Sequence, residues 1–236
     1  MNMDISYYTS VGGRQNNEDF VSLMENNDTI VASVADGLGG HDSGEIASQL
    51  AVKTVNSELT NKVLSVVALE KAILTANMAV LKNAEENKMK TTLAVAWATK
   101  RKALFATVGD TRIYHFRNNE IIFQSTDHSV SQMSVMAGEI TTGQIRGHKD
   151  RNKLVRVLGH KENVKPDIVD VNLEPRDAIL ICSDGFWENI IENEMCRVLS
   201  HSKDSREWIA EMRKIAESVM PIDNDNNSAI AIIVNR

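Results

Sequence analysis

The shortest gaps between apolar runs set the tightest limit on how this chain folds. Only Lys100 and Arg101 separate "TTLAVAWAT" from "KALFATVGD", and only residues 117–119 separate "TRIYHF" from "EIIFQS". A parallel pair of strands needs a crossover of a dozen or more residues, so gaps this short admit antiparallel pairing alone. The other strand-like runs are "ISYYTSV", "TIVASVAD", "PDIVDVNL", "DAILICSD" and "SAIAIIV". Two helices are expected between "TIVASVAD" and "TTLAVAWAT". The first opens at "DSGE", where Asp42 and Glu45 have capping-box spacing and Ile46, Ala47, Leu50 and Ala51 supply an i, i+4 face. The second runs from Leu64 to Glu86. Two further helices, near 192–200 and 203–220, precede the last strand, and Pro221 ends the second of them. Helix pairs inserted among antiparallel strands predict an α+β fold, with helices covering the outer faces of stacked sheets.

No repeat, low-complexity tract or Pro/Gly/Ser-rich linker divides the 236 residues, which are expected to form one domain, 1–236. Cys182, inside "AILICSD", and Cys196, in a helical pattern, read as two buried thiols in a reducing compartment. "MNMDISYY" has neither a basic n-region nor an apolar h-region. The longest apolar stretches, "LAVAWA" and "AIAIIV", have six residues each, far short of a membrane span. A cytoplasmic protein with no membrane attachment is expected. The net charge of −6, from 32 acidic and 26 basic residues, argues against a general nucleic-acid binder, which needs a basic footprint. "RGHKDRNKLVR", residues 146–156, is a local exception with five Arg or Lys against one Asp. It reads either as a solvated loop or as a contact for an anionic partner.

The informative pattern is where acids meet strands. Asp36 ends "TIVASVA", Asp110 ends "LFATVG", Asp127 follows "IIFQST", Asp184 ends "AILICS" and Asp225 precedes "NNSAIAIIV". Strand ends are rigid, so carboxylates there can be held at fixed separations. Asp36 and Asp184 each precede glycine, and Asp-Gly alone needs no function beyond a turn. Several such acids gathered together repel one another unless a cation joins them. Hard oxygen ligands without a Cys/His cluster favour Mg²⁺ or Mn²⁺ over zinc. "DNDNNS" imitates a calcium loop, but Ser228 and Val234 stand where an EF-hand needs glycine and glutamate. No Walker loop, kinase catalytic loop or G-x-S-x-G elbow is present, and neither cysteine has an arginine six residues on. Asp110, in "GDTR", reads as structural, pairing with Arg112 or a nearby backbone donor.

In chain order, "VGGRQNNEDF", "VADGLGGHDSGEIAS", "TTLAVA", "ATVGDTRIY", "LICSDGFWENI" and "DNNSAIAIIV" resemble the motifs of the metal-dependent Ser/Thr protein phosphatases of type 2C. "STDHSV" with "AGEI" and "RGHKDRNKLVRVLG" is similar to the linker and flap of that family's compact bacterial branch. The resemblance implies a four-layer αββα sandwich of two stacked antiparallel sheets flanked by helix pairs, with a flap-like insertion over about 129–165. It implies that Asp36 bridges two ions of Mg²⁺ or Mn²⁺, with the Gly37 carbonyl on one and Asp184 and Asp225 on the other. Asp127 with Asp184 matches a third, weaker site. Glu18 and Asp19 would sit near the ions through water, and Arg14 would grip the substrate phosphate. A water acidified by the two ions would then attack phosphorus in line.

The implied substrates are phosphoserine and phosphothreonine proteins, those of a Ser/Thr kinase, acted on by a monomer. Charge reversal at Arg151 and Lys153 is expected to affect a phosphoprotein more than a small aryl phosphate. Leu38 stands where eukaryotic members carry a histidine proposed as general acid, and His41 lies three further on. Lys90 replaces a usual glycine, and Ser228 a common threonine. Two other functions remain open: a non-catalytic phosphoprotein-binding module of the same fold, and a hydrolase for small phosphomonoesters.

Overall fold

The structure, a computed structural model, describes residues 3–26, 29–39, 43–83 and 89–235. Asp42, expected to cap the first helix, and His41 lie outside the described residues. In chain order the elements are β1 (Met3–Ser10), β2 (Asp19–Asn26), β3 (Thr29–Leu38), α1 (Ser43–Leu59), α2 (Val66–Asn83), β4 (Lys90–Thr91), β5 (Leu93–Ala98), β6 (Lys102–Val108), β7 (Arg112–Arg117), β8 (Glu120–Gln124), α3 (Val130–Met136), β9 (Asp167–Asn172), β10 (Ala178–Cys182), α4 (Asp184–Trp187), α5 (Glu192–His201), α6 (Ser205–Val219) and β11 (Asn227–Val234). One sheet runs β1-β11-β10-β7-β8 and the other β2-β3-β5-β6-β9, with β4 joined to β3. Every named pairing is antiparallel. The β7–β8 hairpin turns on Asn118 and Asn119, both at positive φ (54° and 63°), as a tight right-twisted hairpin requires.

The two sheets stack through a shape-matched interior. Small residues of one sheet (Ala32, Ala94, Ala96, Ala98) meet branched residues of the other (Ile179, Ile181, Ile230, Ile232), all fully buried. The outer face of the β3–β5–β6 side carries Val95, Trp97 and Leu104 against α1 and α2. Phe116, Leu180 and Ala231 of the other sheet pack against Met195, Trp208 and Met212 of α5 and α6. The result is the expected α+β sandwich in four layers. β5, β10 and nearly all of β11 are buried on both faces, which is why those segments are unbroken apolar runs and not alternations.

Three features depart from the sequence reading. β2, "DFVSLMEN", is a strand the sequence does not announce: Phe20 and Met24 face α1 while Val21 and Leu23 face the other sheet, so neither face is polar. "TTLAVAWAT" is broken at Thr92 into β4 and β5. α3 and α4 are too short to show a helical period. The segment between β8 and β9 contains α3 and a 3₁₀ turn, Thr142–Gly147, and returns to the body through isolated bridges Ser129↔Leu154 and Thr91↔Leu158. Cys182 is buried and Cys196 half-buried, both as free thiols. Among the described residues no helix is long and apolar enough to cross a membrane.

Candidate active site: an acidic cleft at the strand ends

β3 and β10, on different sheets, finish at the same end of the sandwich, and β11 starts there. Their ends bring Asp36, Asp184 and Asp225 into one cleft of about 760 Å³, with Glu18, Arg14, Gly37 and Leu38 in its wall. Asp110 joins them from the β6–β7 turn, which carries the chain from one sheet to the other. Asn152 and Leu154 approach from the segment between β8 and β9.

The backbone of Asp36 is fixed on both sides. Its N–H donates to Thr92 Oγ1 (2.9 Å), while its carbonyl accepts the Thr92 N–H and the Thr91 hydroxyl, both at 2.8 Å. Thr92 Oγ1 also lies 2.6 Å from Thr111 Oγ1, which ties the Asp36 strand to the turn that carries Asp110. The break in the strand run at Thr92 therefore has a purpose. Gly37 must lack a side chain, because a Cβ there would lie 2.1 Å from the Gly44 carbonyl oxygen. Asn226 joins the two loops beside the cleft: its Oδ1 accepts the Glu18 N–H, and its Nδ2 donates to the Val11 and Asn16 carbonyls.

These acids are poorly compensated. Burial, then repulsion from Asp184 and Asp19, holds the Asp36 carboxyl well above the ordinary range. Burial and repulsion from Asp184 and Asp127 do the same to Asp110. Asp184 is pushed up to about 7, by burial and then by Glu188 and Asp225. Asp19 pairs in register with Asp36 and is pushed up to about 6 by burial. Oδ1 of Asp184 and Oδ1 of Asp19 are buried without a hydrogen-bond partner. Asp19 Oδ2 accepts the Ser183 hydroxyl at 2.7 Å, so Asp19 lies behind the cleft, not in its wall. An orphaned buried carboxylate oxygen beside mutually repelling acids suits a divalent cation with oxygen ligands. Among the described residues no three His, Cys, Asp or Glu already enclose an ion. Repulsion opposes such closure, and Asp225 is turned to Arg14 (Nη2–Oδ2 2.9 Å).

The family model for Protein phosphatase 2C matches residues 11–223. The chain belongs to this family. It is 33% identical over 205 residues to the serine/threonine phosphatase stp of Listeria welshimeri, covering 82% of this chain and 81% of that one. The structure superposes on serine/threonine phosphatase Stp1 from Staphylococcus aureus with a TM-score of 0.89, at 26% identity, over 99% of this chain and 95% of the other. It shares its fold (TM-score 0.84, 24% identity, 99% of each chain) with the catalytic domain of the phosphatase PstP solved in complex with two manganese ions. Like its family, this protein phosphatase 2C is a divalent-metal-dependent enzyme that dephosphorylates serine and threonine in proteins.

Two sequence expectations change. Asp127 does not line the cleft. Both its oxygens accept from Arg112 (Nε–Oδ1 2.8 Å, Nη2–Oδ2 2.6 Å), and both side chains are 2% exposed. The "GDTR" aspartate, Asp110, was expected to be structural, pairing with Arg112 or a nearby backbone donor; Arg112 is occupied by Asp127 and Tyr114, the Asp110 carboxylate accepts from its own backbone N–H, and it faces the cleft. The type of residue gave no warning, because both acids follow apolar strands. Trp187 adds a link that sequence reasoning missed. It shares the single turn of α4 with Asp184, donates its indole N–H to the Asp110 carbonyl (3.0 Å), and carries the Arg112 guanidinium 3.4 Å from its ring centroid.

In the basic segment 146–156 the three arginines are half-buried and paired, while Lys149 and Lys153 are exposed. Arg146 binds the Trp187 and Ile190 carbonyls and Glu192, Arg151 binds Glu188, Lys153 binds Asp150 and Arg156 binds Asp167. Arg146, Arg151 and Arg156 tie the segment to acids outside it, while the Lys153–Asp150 pair lies within it.

Proposed function

We propose that the cleft is a centre for two Mg²⁺ or Mn²⁺ ions, built on a single catalytic domain, 1–236, with residues 129–165 as its flap. Asp36 would hold both ions, the Gly37 carbonyl one of them, and Asp184 and Asp225 the other. A third, weaker position would fall to Asp184 with Asp110, since Asp127 is committed to Arg112. The observation that carries this reading is the convergence of half-buried Asp36 and Asp184 with buried Asp110, none in an ion pair among the described residues, on one polar cleft. The PstP structure with two manganese ions agrees with the count.

Bound divalent ions supply Lewis acidity towards water and the phosphoryl oxygens at neutral pH. The protein's own groups do the remainder. Arg14 offers a planar fork that can meet two phosphate oxygens. Its present pair with Asp225 is exposed on both sides (55% and 42%), so releasing it costs no more than about 1 kcal/mol. Glu18 and Asp19 add negative charge beside the ions, with Asp19 aimed by Ser183. Leu38, in the cleft wall, offers no proton to the leaving group. In this reading the enzyme works as a cytoplasmic monomer on substrates of a Ser/Thr kinase.

The test is hydrolysis of a small aryl phosphate with Mn²⁺, with chelator, and with Asp36→Asn. Wild-type activity that needs the metal and is lost in the variant supports the centre. Absence of metal-dependent hydrolysis in the wild type overturns it in favour of a binding module.

A further inference from the structure

β1 is an edge strand. In its sheet it pairs with β11 alone, and none of its backbone groups has another backbone partner among the described residues. A strand of eight residues with one open edge presents a row of N–H and C=O groups that another extended chain can pair with. Natural edges are blunted by lysine, proline or bulges. "ISYY", Ile5–Tyr8, carries none of these, and Tyr7 is 63% exposed.

Beside that edge a groove of about 570 Å³ runs between β1 and α6. Tyr8 and Ile209 give it an apolar floor, and Arg206, Arg213 and Lys214 stand on the α6 side, with Glu217 as the acid among the lining residues. Arg206 forms no ion pair among the described residues. Arg213 lies 4.6 Å from the Tyr8 ring centroid and pairs with Glu217, while Lys214 pairs with Glu211. Both pairs are exposed and exchange readily for a ligand's carboxylates. Two of the three bases are thus held by Glu217 and Glu211, and Arg206 is left as a positive charge at the rim with no ion pair among the described residues, complementary to an acid of a partner. β1 itself runs towards the active cleft: Ser10, at its end, pairs with Asn227, two residues from Asp225 in the cleft wall. At about 3.4 Å per residue, a segment laid along β1 from Tyr7 reaches the strand's end at Ser10 after about 10 Å, beside the turn that carries Arg14.

We propose that the β1–α6 groove docks an extended acidic segment of the phosphoprotein substrate by strand addition to β1, several residues from the phosphorylated side chain. Backbone pairing supplies the affinity, and the basic rim selects the sequence. That the occupant is a substrate rests on the phosphatase reading of the cleft; the groove itself does not.

Amide hydrogen exchange on the full chain, with an unphosphorylated peptide of alternating Glu and Val, tests docking without catalysis. The proposal expects slower exchange across Met3–Ser10, lost in Arg206→Glu. That substitution places an acid at the start of α6, where the helix dipole tolerates it. With phosphothreonine peptides, adding the acidic tail is expected to raise kcat/KM about fivefold, mainly through KM. Arg206→Glu should remove that gain and leave aryl-phosphate hydrolysis unchanged. Unchanged β1 exchange at millimolar peptide overturns the proposal. So does β1 protection that rises with protein concentration alone, which would assign the edge to a second copy. Protection by peptide in a protein that hydrolyses no phosphate supports the groove while refuting the phosphatase reading.

Discussion

Asp127→Asn separates a structural acid from a metal ligand. Arg112 and Asp127 are both 2% exposed, and the guanidinium gives two hydrogen bonds, of 2.8 and 2.6 Å, to the carboxylate. The asparagine keeps the shape, but its NH₂ faces an N–H donor, and the buried cation loses its counter-charge. Removing one partner of such a pair costs about 3–5 kcal/mol. Arg112 retains its contact with the Tyr114 hydroxyl at 3.0 Å, its stacking on Trp187 and a 3.6 Å approach to Glu192, so the lower end applies, about 3 kcal/mol. For a chain of this size each kcal/mol moves Tm by roughly 2–4 °C, giving a fall of about 6–12 °C. The assay is a thermal melt in chelator, paired with a Mn²⁺ titration of aryl-phosphate hydrolysis by the folded variant. The Mn²⁺ concentration for half-maximal rate should stay within about twofold of wild type, roughly 0.4 kcal/mol. A variant that melts within about 2 °C of wild type, yet needs much more Mn²⁺, would refute the structural role and restore Asp127 as a ligand.

Asp110→Asn should do the reverse: the metal-free protein melts no lower, because a buried like charge is gone, while metal retention in dialysis weakens. Thr92→Val removes the hydroxyl that accepts the Asp36 N–H. It should cost about 1–3 kcal/mol in a chemical melt and weaken Mn²⁺ binding in calorimetry, with Thr92→Ser recovering both; equal binding in all three would show that Thr92 does not aim Asp36. Asp19 and Asp184 rise from 3.8 to about 6 and about 7 on folding, so the folded state keeps protons that the unfolded state releases. Metal-free stability should therefore fall as pH rises from about 4 to about 7, and Mn²⁺ should raise Tm more at pH 8 than at pH 5; an equal rise at both would contradict the repulsion account.

The antiparallel architecture was legible because two turns, Lys100–Arg101 and residues 117–119, are too short for anything else. Placing Asp36, Asp184 and Asp225 at strand ends required only apolar runs that stop at acids. β2 escaped because its strand lies between a helix and a sheet, which removes the period of two. Asp110 and Asp127 could not be ranked from sequence, since what separates them is a contact between positions 112 and 127 that depends on how β7 pairs with β8. Trp187 was equally hidden: its indole reaches Asp110 across 77 positions of sequence.

The central claim is that Asp36 lies at the heart of a metal centre. Anomalous diffraction at the manganese edge, from crystals soaked in Mn²⁺, tests it most directly. The account predicts two strong peaks within coordination distance of the Asp36 carboxylate, one also near Gly37 and the other near Asp184 and Asp225. Hydrolysis by the same crystals with no manganese at these acids, or with manganese seated elsewhere, would contradict it.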